Sequence, residues 1–138
     1  HHGVVNQFAG DSIMALFGAP KSYGDDARRA VECARAMIRE RERMNENAAQ
    51  PLRVGIGIAS GAMVAGCIGS ERRSDYTVVG ERVNLAARLC SSALPGQILI
   101  DDETCRRIGD GYASEPLAPL ALKGFSEPVR AFALALPA

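Results

Sequence analysis

The sequence lacks the features that mark several large classes of protein. It carries no net charge, because 16 lysines and arginines balance 16 aspartates and glutamates. This balance argues against a nucleic-acid binder that works through a bulk positive field. No apolar run approaches the ~20 residues needed to span a bilayer, and no secretory signal precedes the first predicted strand. We therefore expect a cytoplasmic protein without a membrane segment.

Cysteine is sparse, and no two cysteines stand close together in the sequence. The four cysteines are far apart and form no C-x-x-C pair; they are Cys33, Cys67, Cys90 and Cys105. Structural zinc sites usually show paired ligands, so we predict reduced thiols rather than a metal site on these residues. His1 and His2 are either native or the remnant of a purification tag, and nothing else about them indicates metal binding.

The composition is that of one ordinary globular domain. Hydrophobic residues make up 47% and charged residues 23% of 138 residues, which is enough for a real core. We see no internal repeat and no linker long enough for a second domain, so residues 1–138 are predicted to form a single domain. Strands and helices alternate in the pattern, which predicts an α+β or α/β fold with helices on one side of a sheet.

The first chemically informative stretch is a predicted β-hairpin. Val4–Phe8 and Ile13–Phe17 are short apolar runs joined by Gly10 and Asp11, which is typical of two strands and a tight turn. Asp11 is then held on rigid elements, where its carboxylate suits Mg²⁺ or Mn²⁺. The alternative is that Asp11 only accepts hydrogen bonds from nearby backbone N–H groups, as most turn aspartates do.

A long amphipathic helix and a glycine-containing strand follow. The apolar spacing predicts a helix over Asp26–Asn45, with a charged face that we interpret as solvated surface. Leu52–Gly61 is predicted to be a buried strand whose glycines indicate that another element packs close to its backbone. The remaining predicted elements are a β-prone run at Met63–Gly69, a strand at Asp75–Val79, a helix at Glu81–Ser91, a strand at Gln97–Ile100, a helix at Glu103–Ile108 capped by Asp101 or Asp102, and a β-rich tail.

The predicted helix after Gly80 carries two polar residues with chemical potential. Asn84 and Arg88 are one helical turn apart, so they project from the same face. The planar fork of Arg88 suits phosphate oxygens. With Asp11 and with Lys123 beside a glycine, the chain holds one metal-type carboxylate, two phosphate-type cations and an amide. This set is what a metal–polyphosphate ligand requires.

Four stretches of the sequence resemble the signature blocks of class III nucleotidyl cyclase catalytic domains. They are Phe8–Gly18, Arg53–Ile58, Asp75–Leu89 and Leu122–Phe125, they occur in the family's order, and together they reach across nearly the whole chain. The resemblance implies a ferredoxin-like sheet, similar to the polymerase palm, with helices packed on one side. It implies conversion of ATP to cyclic AMP, or of GTP to cyclic GMP, with release of pyrophosphate. It also implies a head-to-tail homodimer with active sites between the two copies.

The resemblance assigns a role to each candidate residue. Asp11 matches the second of two aspartates that bind two Mg²⁺ or Mn²⁺ ions. Asn84 matches the residue that orients the ribose, and Arg88 matches the arginine that stabilises the pentacoordinate phosphate. Lys123 and Arg53 match cations that hold the β- and γ-phosphates.

Recognition of the base falls to two further positions. Gln7 and Thr77 lie where the family reads the purine; Thr77 fits the adenine type, whereas Gln7 fits neither type. We therefore expect ATP as substrate, with some use of GTP. By the same likeness Asp11 and Arg53 serve the site from one protomer and the other residues serve it from its partner, with Met63–Ser74 as an arm that reaches across the interface.

The sequence departs from the family in one important respect. The family's first metal aspartate belongs to a strand upstream of the hairpin, together with the first helices, and this chain starts after them. We therefore expect a truncated piece of a longer protein fused to regulatory domains, and we expect these residues alone not to turn over nucleotide. The alternatives are a catalytically degenerate, cyclase-like regulatory or dimerisation module, and a guanylyl cyclase.

Overall fold

Strands and helices alternate along the chain as the sequence predicted. The computed structural model describes residues 3–9, 12–18, 22, 24–47, 49, 53–61, 64–70, 73–79 and 81–134, with backbone alone for 4, 6–9, 64–70, 73–79 and 110. The elements are β1 (Val4–Ala9), β2 (Ser12–Leu16), α1 (Asp26–Asn45), β3 (Ile56–Ile58), β4 (Val64–Ser70), β5 (Arg73–Val79), α2 (Glu81–Ser92), β6 (Ile98–Asp101), α3 (Asp102–Ile108), a 3₁₀ turn (Gly109–Gly111), β7 (Ser114–Pro116) and β8 (Ala131–Leu134).

A four-stranded mixed sheet lies at the centre, with the strand order β3-β6-β8-β7. β3 runs parallel to β6, whereas β8 is antiparallel to both β6 and β7. The parallel pair is connected through α2, as a crossover between parallel strands requires. The α+β class predicted from the sequence is confirmed.

Helices cover both faces of β6. Ile98 and Ile100 belong to one buried cluster with residues of α1 and α3, whereas Leu99 packs in a second cluster with Leu85 and Leu89 of α2. Successive side chains of a strand point to opposite faces, so α1 and α2 lie on opposite sides of β6. The expected one-sided packing therefore holds for α1 and α3 but not for α2. The physical reason is that every residue of β6 is buried, so both of its faces need a cover.

Two separate hairpins accompany this sheet. β1 and β2 pair antiparallel, which confirms the first predicted hairpin, and Gln7 lies opposite Met14. Asp11, at the turn between them, lies outside the described residues. β4 and β5 pair antiparallel over their whole length, with Thr77 opposite Gly66.

The strand β3 is shorter than the predicted Leu52–Gly61, but the expected close approach to its glycines is present. A Cβ atom on Gly57 would lie 2.3 Å from the backbone nitrogen of Cys90 and 2.5 Å from the carbonyl oxygen of Ala86. Both are backbone atoms of α2, so only glycine lets this helix lie directly on the strand.

The structure also describes the ends of α1 and α3, three of the cysteines and the apolarity of the helices. The bounds of α1 are as predicted, and Asp101 is the residue that caps α3, because its side chain accepts a hydrogen bond from the backbone N–H of Thr104. Among the described side chains, Cys33, Cys90 and Cys105 are free thiols. Within the described ranges, no helix has both the length and the apolarity needed to cross a membrane.

Candidate active site

An open pocket lies between α2 and the turn that contains Lys123. Its volume is about 470 Å³. Three of the residues predicted from the sequence meet here, namely Asn84, Arg88 and Lys123. The complete lining is Glu81, Asn84, Arg88, Lys123, Gly124 and Phe125.

The wall formed by α2 is held in place by its buried stripe. Leu85 and Leu89 are 2% and 0% exposed and anchor the helix in the second core cluster. Asn84 and Arg88 each precede one of these leucines by one residue, so they lie on the adjacent face of the helix. Asn84 is exposed and Arg88 is partly buried, which leaves both side chains free to face the pocket.

The opposite wall is a tight turn whose base is also anchored in that cluster. Leu122 is buried, and its carbonyl oxygen accepts a hydrogen bond of 3.1 Å from the backbone N–H of Phe125. Gly124 has a φ of +90°, which a residue with a side chain rarely adopts. Lys123 is consequently presented at the exposed tip of the turn.

The pocket has the donor set of a phosphate site rather than of a metal site. Arg88 and Lys123 supply two cations, and neither forms an ion pair with another described residue. Asn84 supplies an amide, and Glu81 is the one carboxylate in the lining. Among the described residues, no group of three or more His, Cys, Asp or Glu side chains is placed to hold a metal ion.

The other predicted site residues do not line this pocket, or their side chains lie outside the described part of the chain. Arg53 is exposed, precedes β3 and does not line the pocket. Gln7 and Thr77 lie within β1 and β5, where the structure describes the backbone alone. Asp11, the predicted metal ligand, lies outside the described residues.

Three lining residues were not predicted as site residues from the sequence, namely Glu81, Gly124 and Phe125. Glu81 precedes Asn84 by three residues, and this helical spacing could have placed it on the same face. Phe125 follows Gly124 directly and packs against the second core cluster. Only the turn geometry around Lys123 brings its ring to the pocket.

The fold and the pocket together describe an α+β domain with a cationic pocket, and comparison with known proteins identifies its family. A family profile described as "Adenylate and Guanylate cyclase catalytic domain" matches residues 6–135. The chain belongs to this family.

Solved structures of both kinds of cyclase resemble this chain. The adenylyl cyclase CyaB from P. aeruginosa is 34% identical, with a TM-score of 0.88 over 99% of this chain and 73% of that chain. The guanylyl cyclase Cya2 is 41% identical, with a TM-score of 0.82 over 97% of this chain and 70% of that chain.

A curated relative is much longer than this chain. The uncharacterized protein Rv1319c of Mycobacterium tuberculosis is 37% identical over 141 residues, which cover 99% of this chain and 25% of the relative. The chain thus spans about a quarter of the length of the curated relatives it matches.

Proposed function

We propose that this domain converts ATP to cyclic AMP and pyrophosphate in cyclic-nucleotide signalling. The observation that carries the proposal is the convergence of Asn84, Arg88 and Lys123 on one open pocket. An amide and two cations with no ion-pair partner among the described residues suit the ribose and phosphate groups of a nucleoside triphosphate.

The proposed reaction is an intramolecular displacement at the α-phosphate. The ribose 3′-hydroxyl gives its proton to solvent water as its oxygen attacks the α-phosphorus, and the bond from that phosphorus to the oxygen that bridges to the β-phosphorus breaks to release pyrophosphate. Arg88 donates hydrogen bonds to the α-phosphate oxygens as negative charge builds on them, which is usually a large catalytic contribution. Asn84 holds the ribose so that its 3′-oxygen is aligned for attack. Lys123 holds the β- and γ-phosphates as they depart.

We place the divalent cation on Asp11 rather than in the pocket lining. A bound Mg²⁺ or Mn²⁺ ion would lower the pKa of the 3′-hydroxyl and neutralise phosphate charge. The proposal of two ions per site follows from family membership, and it requires a second carboxylate beside Asp11.

The complete site is proposed to need two copies of the chain, packed head to tail. Arg53 supports this arrangement because it is exposed and lies away from the pocket of its own chain. It is then free to reach the phosphates held by a partner. Specific activity should fall on dilution below the dimer dissociation constant, and activity that is independent of concentration there would contradict the shared site.

Selection of the base is assigned to Gln7 and Thr77. Thr77 favours adenine, but the amide of Gln7 both donates and accepts, so it can meet either purine. The 41% identity to a guanylyl cyclase keeps GTP as a second candidate substrate. Gln7→Lys should raise the ratio of ATP turnover to GTP turnover. An unchanged ratio would show that Gln7 does not take part in recognition of the base.

The main test uses the full-length protein that carries this domain. Cyclic AMP formation from Mn²⁺-ATP should be abolished by Asp11→Ala or by Arg88→Ala and should be retained by Arg43→Ala, which alters an exposed ion pair on α1. Full activity in the first two variants would show that the site assignment is wrong. Binding of ATP by the wild type without turnover would indicate the degenerate regulatory module instead.

A further inference from the structure

A buried polar corner lies behind the pocket, on the opposite side of the first turn of α2. Asp101, at the end of β6, is 1% exposed, and one of its carboxylate oxygens accepts a hydrogen bond of 2.9 Å from the backbone N–H of Thr104. The other oxygen accepts a hydrogen bond of 2.9 Å from Nη1 of Arg82 on α2. A buried carboxylate needs such a cationic partner, because an unpaired charge in the interior is strongly unfavourable.

The corner extends to the end of β3. The hydroxyl oxygens of Thr104 and Ser60 lie 2.7 Å apart, and Thr104 is fully buried. Gly61 follows with a φ of +148°, and a Cβ atom there would lie 2.9 Å from Cγ of Arg82. The stem of Arg82 therefore lies directly over the backbone of Gly61, while its guanidinium reaches Asp101.

This corner is where the β4–β5 hairpin leaves and rejoins the core. Gly61 is three residues before β4, and Arg82 is three residues after the end of β5. The stretches of chain that lead into and out of the hairpin that carries Thr77 therefore meet at this contact. Arg82 also lies two residues before Asn84, and this spacing turns the two side chains to opposite sides of α2.

We propose that the Arg82–Asp101 ion pair is a positioning device for the active site, which sets the orientation of the first turn of α2 and of the root of the β4–β5 hairpin. Arg82 and Asp101 do not line the pocket, so they act on substrate only through Asn84, Arg88 and Thr77. The inference rests on the proposed function for its kinetic consequences, but its structural content is independent of that function.

The kinetic test separates positioning from folding. In the full-length protein, Arg82→Ala should lower kcat for cyclic AMP formation by about tenfold or more, because small displacements of catalytic groups are costly. KM for Mn²⁺-ATP should change by a smaller factor than kcat, because Lys123 sits on a different element and keeps its hold on the polyphosphate. Arg82→Lys should restore part of kcat, since it returns a cation to Asp101.

A second set of variants tests the pair itself. Asp101→Asn keeps an oxygen that can accept from the Thr104 N–H but removes the charge, so it should lower kcat by a similar factor. The double variant Arg82→Ala/Asp101→Asn should be no worse than either single variant, because the two residues act as one unit. Arg107→Ala removes an exposed ion pair on the nearby helix α3 and serves as the matched control.

Hydrogen exchange supplies a measurement that does not depend on turnover. The amides of residues 82–88 should exchange faster in Arg82→Ala than in the wild type or in Arg107→Ala. Unchanged exchange there, or an unchanged kcat accompanied only by a lower melting temperature, would overturn the positioning role. If the wild type forms no cyclic nucleotide, the proposed function fails, and the exchange of residues 82–88 alone decides the inference.

Discussion

The two faces of β6 differ in what they hold. The face toward α1 and α3, here called the closed face, is covered by an apolar cluster; its buried residues are Val31, Ala34, Ile38, Ile98, Ile100, Ile108 and Leu134. The face toward α2 has an apolar centre around Leu85, Leu89 and Leu99, but it also carries the buried carboxylate of Asp101 and opens into the pocket. The first face supplies the apolar core, whereas the second also supports the candidate site.

The pocket on the α2 side is open, but the backbone of both its walls is anchored in the core. Both of its walls are anchored in the same buried cluster, through Leu85 and Leu89 on α2 and through Leu122 beside Lys123. The buried anchor restrains the backbone of the polar residue that directly adjoins it. This arrangement is what preorganised binding of a charged ligand requires.

The largest effect is expected where the α2 side meets β3. Gly57→Ala would place a methyl group 2.3 Å from a backbone atom of α2, so the helix must shift. We expect a loss of about 3 kcal/mol in the free energy of unfolding, from overpacking and the shift of the helix backbone that it forces, together with loss of turnover. Denaturant unfolding measures the first effect. Gly111→Ala meets no atom within 4 Å and is the control; an equal loss there would contradict the interpretation.

The closed face should respond in stability only. Ile38→Ala removes a side chain that is 1% exposed in the α1 cluster and should cost about 2–5 kcal/mol. At temperatures where the variant remains folded, kcat and KM should equal those of the wild type. Met37→Ala, at an exposed neighbouring position, should change little. A large change in kcat of folded Ile38→Ala would break the distinction between the two faces.

Substitution on the face toward α2, at the pocket, should change kcat and leave the free energy of unfolding unchanged. Arg88→Lys keeps the charge but loses the planar fork, so kcat should fall by about a hundredfold, as when a transition-state hydrogen-bond donor is removed. The free energy of unfolding should stay unchanged, since Arg88 forms no ion pair with another described residue. Steady-state kinetics and denaturant unfolding on the same preparation check both statements. Wild-type kcat in the lysine variant would show that charge alone suffices.

The smallest effect is expected at the edge of the closed face. The hydroxyl of Tyr112 donates a hydrogen bond of 2.5 Å to Glu32 of α1, and burial first, then this hydrogen bond, raises the pKa of Tyr112. The protonated Tyr112 hydroxyl contributes fully to stability below the ordinary tyrosine pKa of about 10. That contribution is lost as the pH rises through the raised pKa of the folded state. Tyr112→Phe should cost about 1 kcal/mol at neutral pH.

The alkaline limb distinguishes this mechanism from a simple packing loss. The wild type should lose stability more steeply than Tyr112→Phe above pH ~10, where only the wild type has this proton to release. Denaturant unfolding at neutral and alkaline pH measures the difference. Parallel pH profiles for the two proteins would contradict a role for the Tyr112 proton.

Local pattern was a good guide where the determinants are local. The helix over Asp26–Asn45 has the predicted bounds, because the spacing of its apolar residues sets one buried stripe within a single element. The hairpin from Val4 to Leu16 was likewise indicated by two apolar runs and a tight turn. Asn84 and Arg88 were placed on one face by helical geometry alone.

The errors and omissions share one cause, which is contact between distant parts of the chain. α2 packs over Gly57 of β3 and lies on the face of β6 opposite α1, so β6 is buried on both faces. Phe125 and Glu81 line one pocket, and Arg82 pairs with Asp101, although the residues of each pair belong to different elements. No spacing within a single element reports such contacts.

The sequence by itself determined the helix and hairpin periods, the family and the chemical types that the pocket presents, because these depend on residue identity and short-range geometry. Only the tertiary structure decided that Lys123 would face Asn84 and Arg88 across one opening, and that a buried ion pair would stand behind them. Those arrangements depend on how α1, α2 and α3 pack around β6. Such packing depends on contacts across the whole chain.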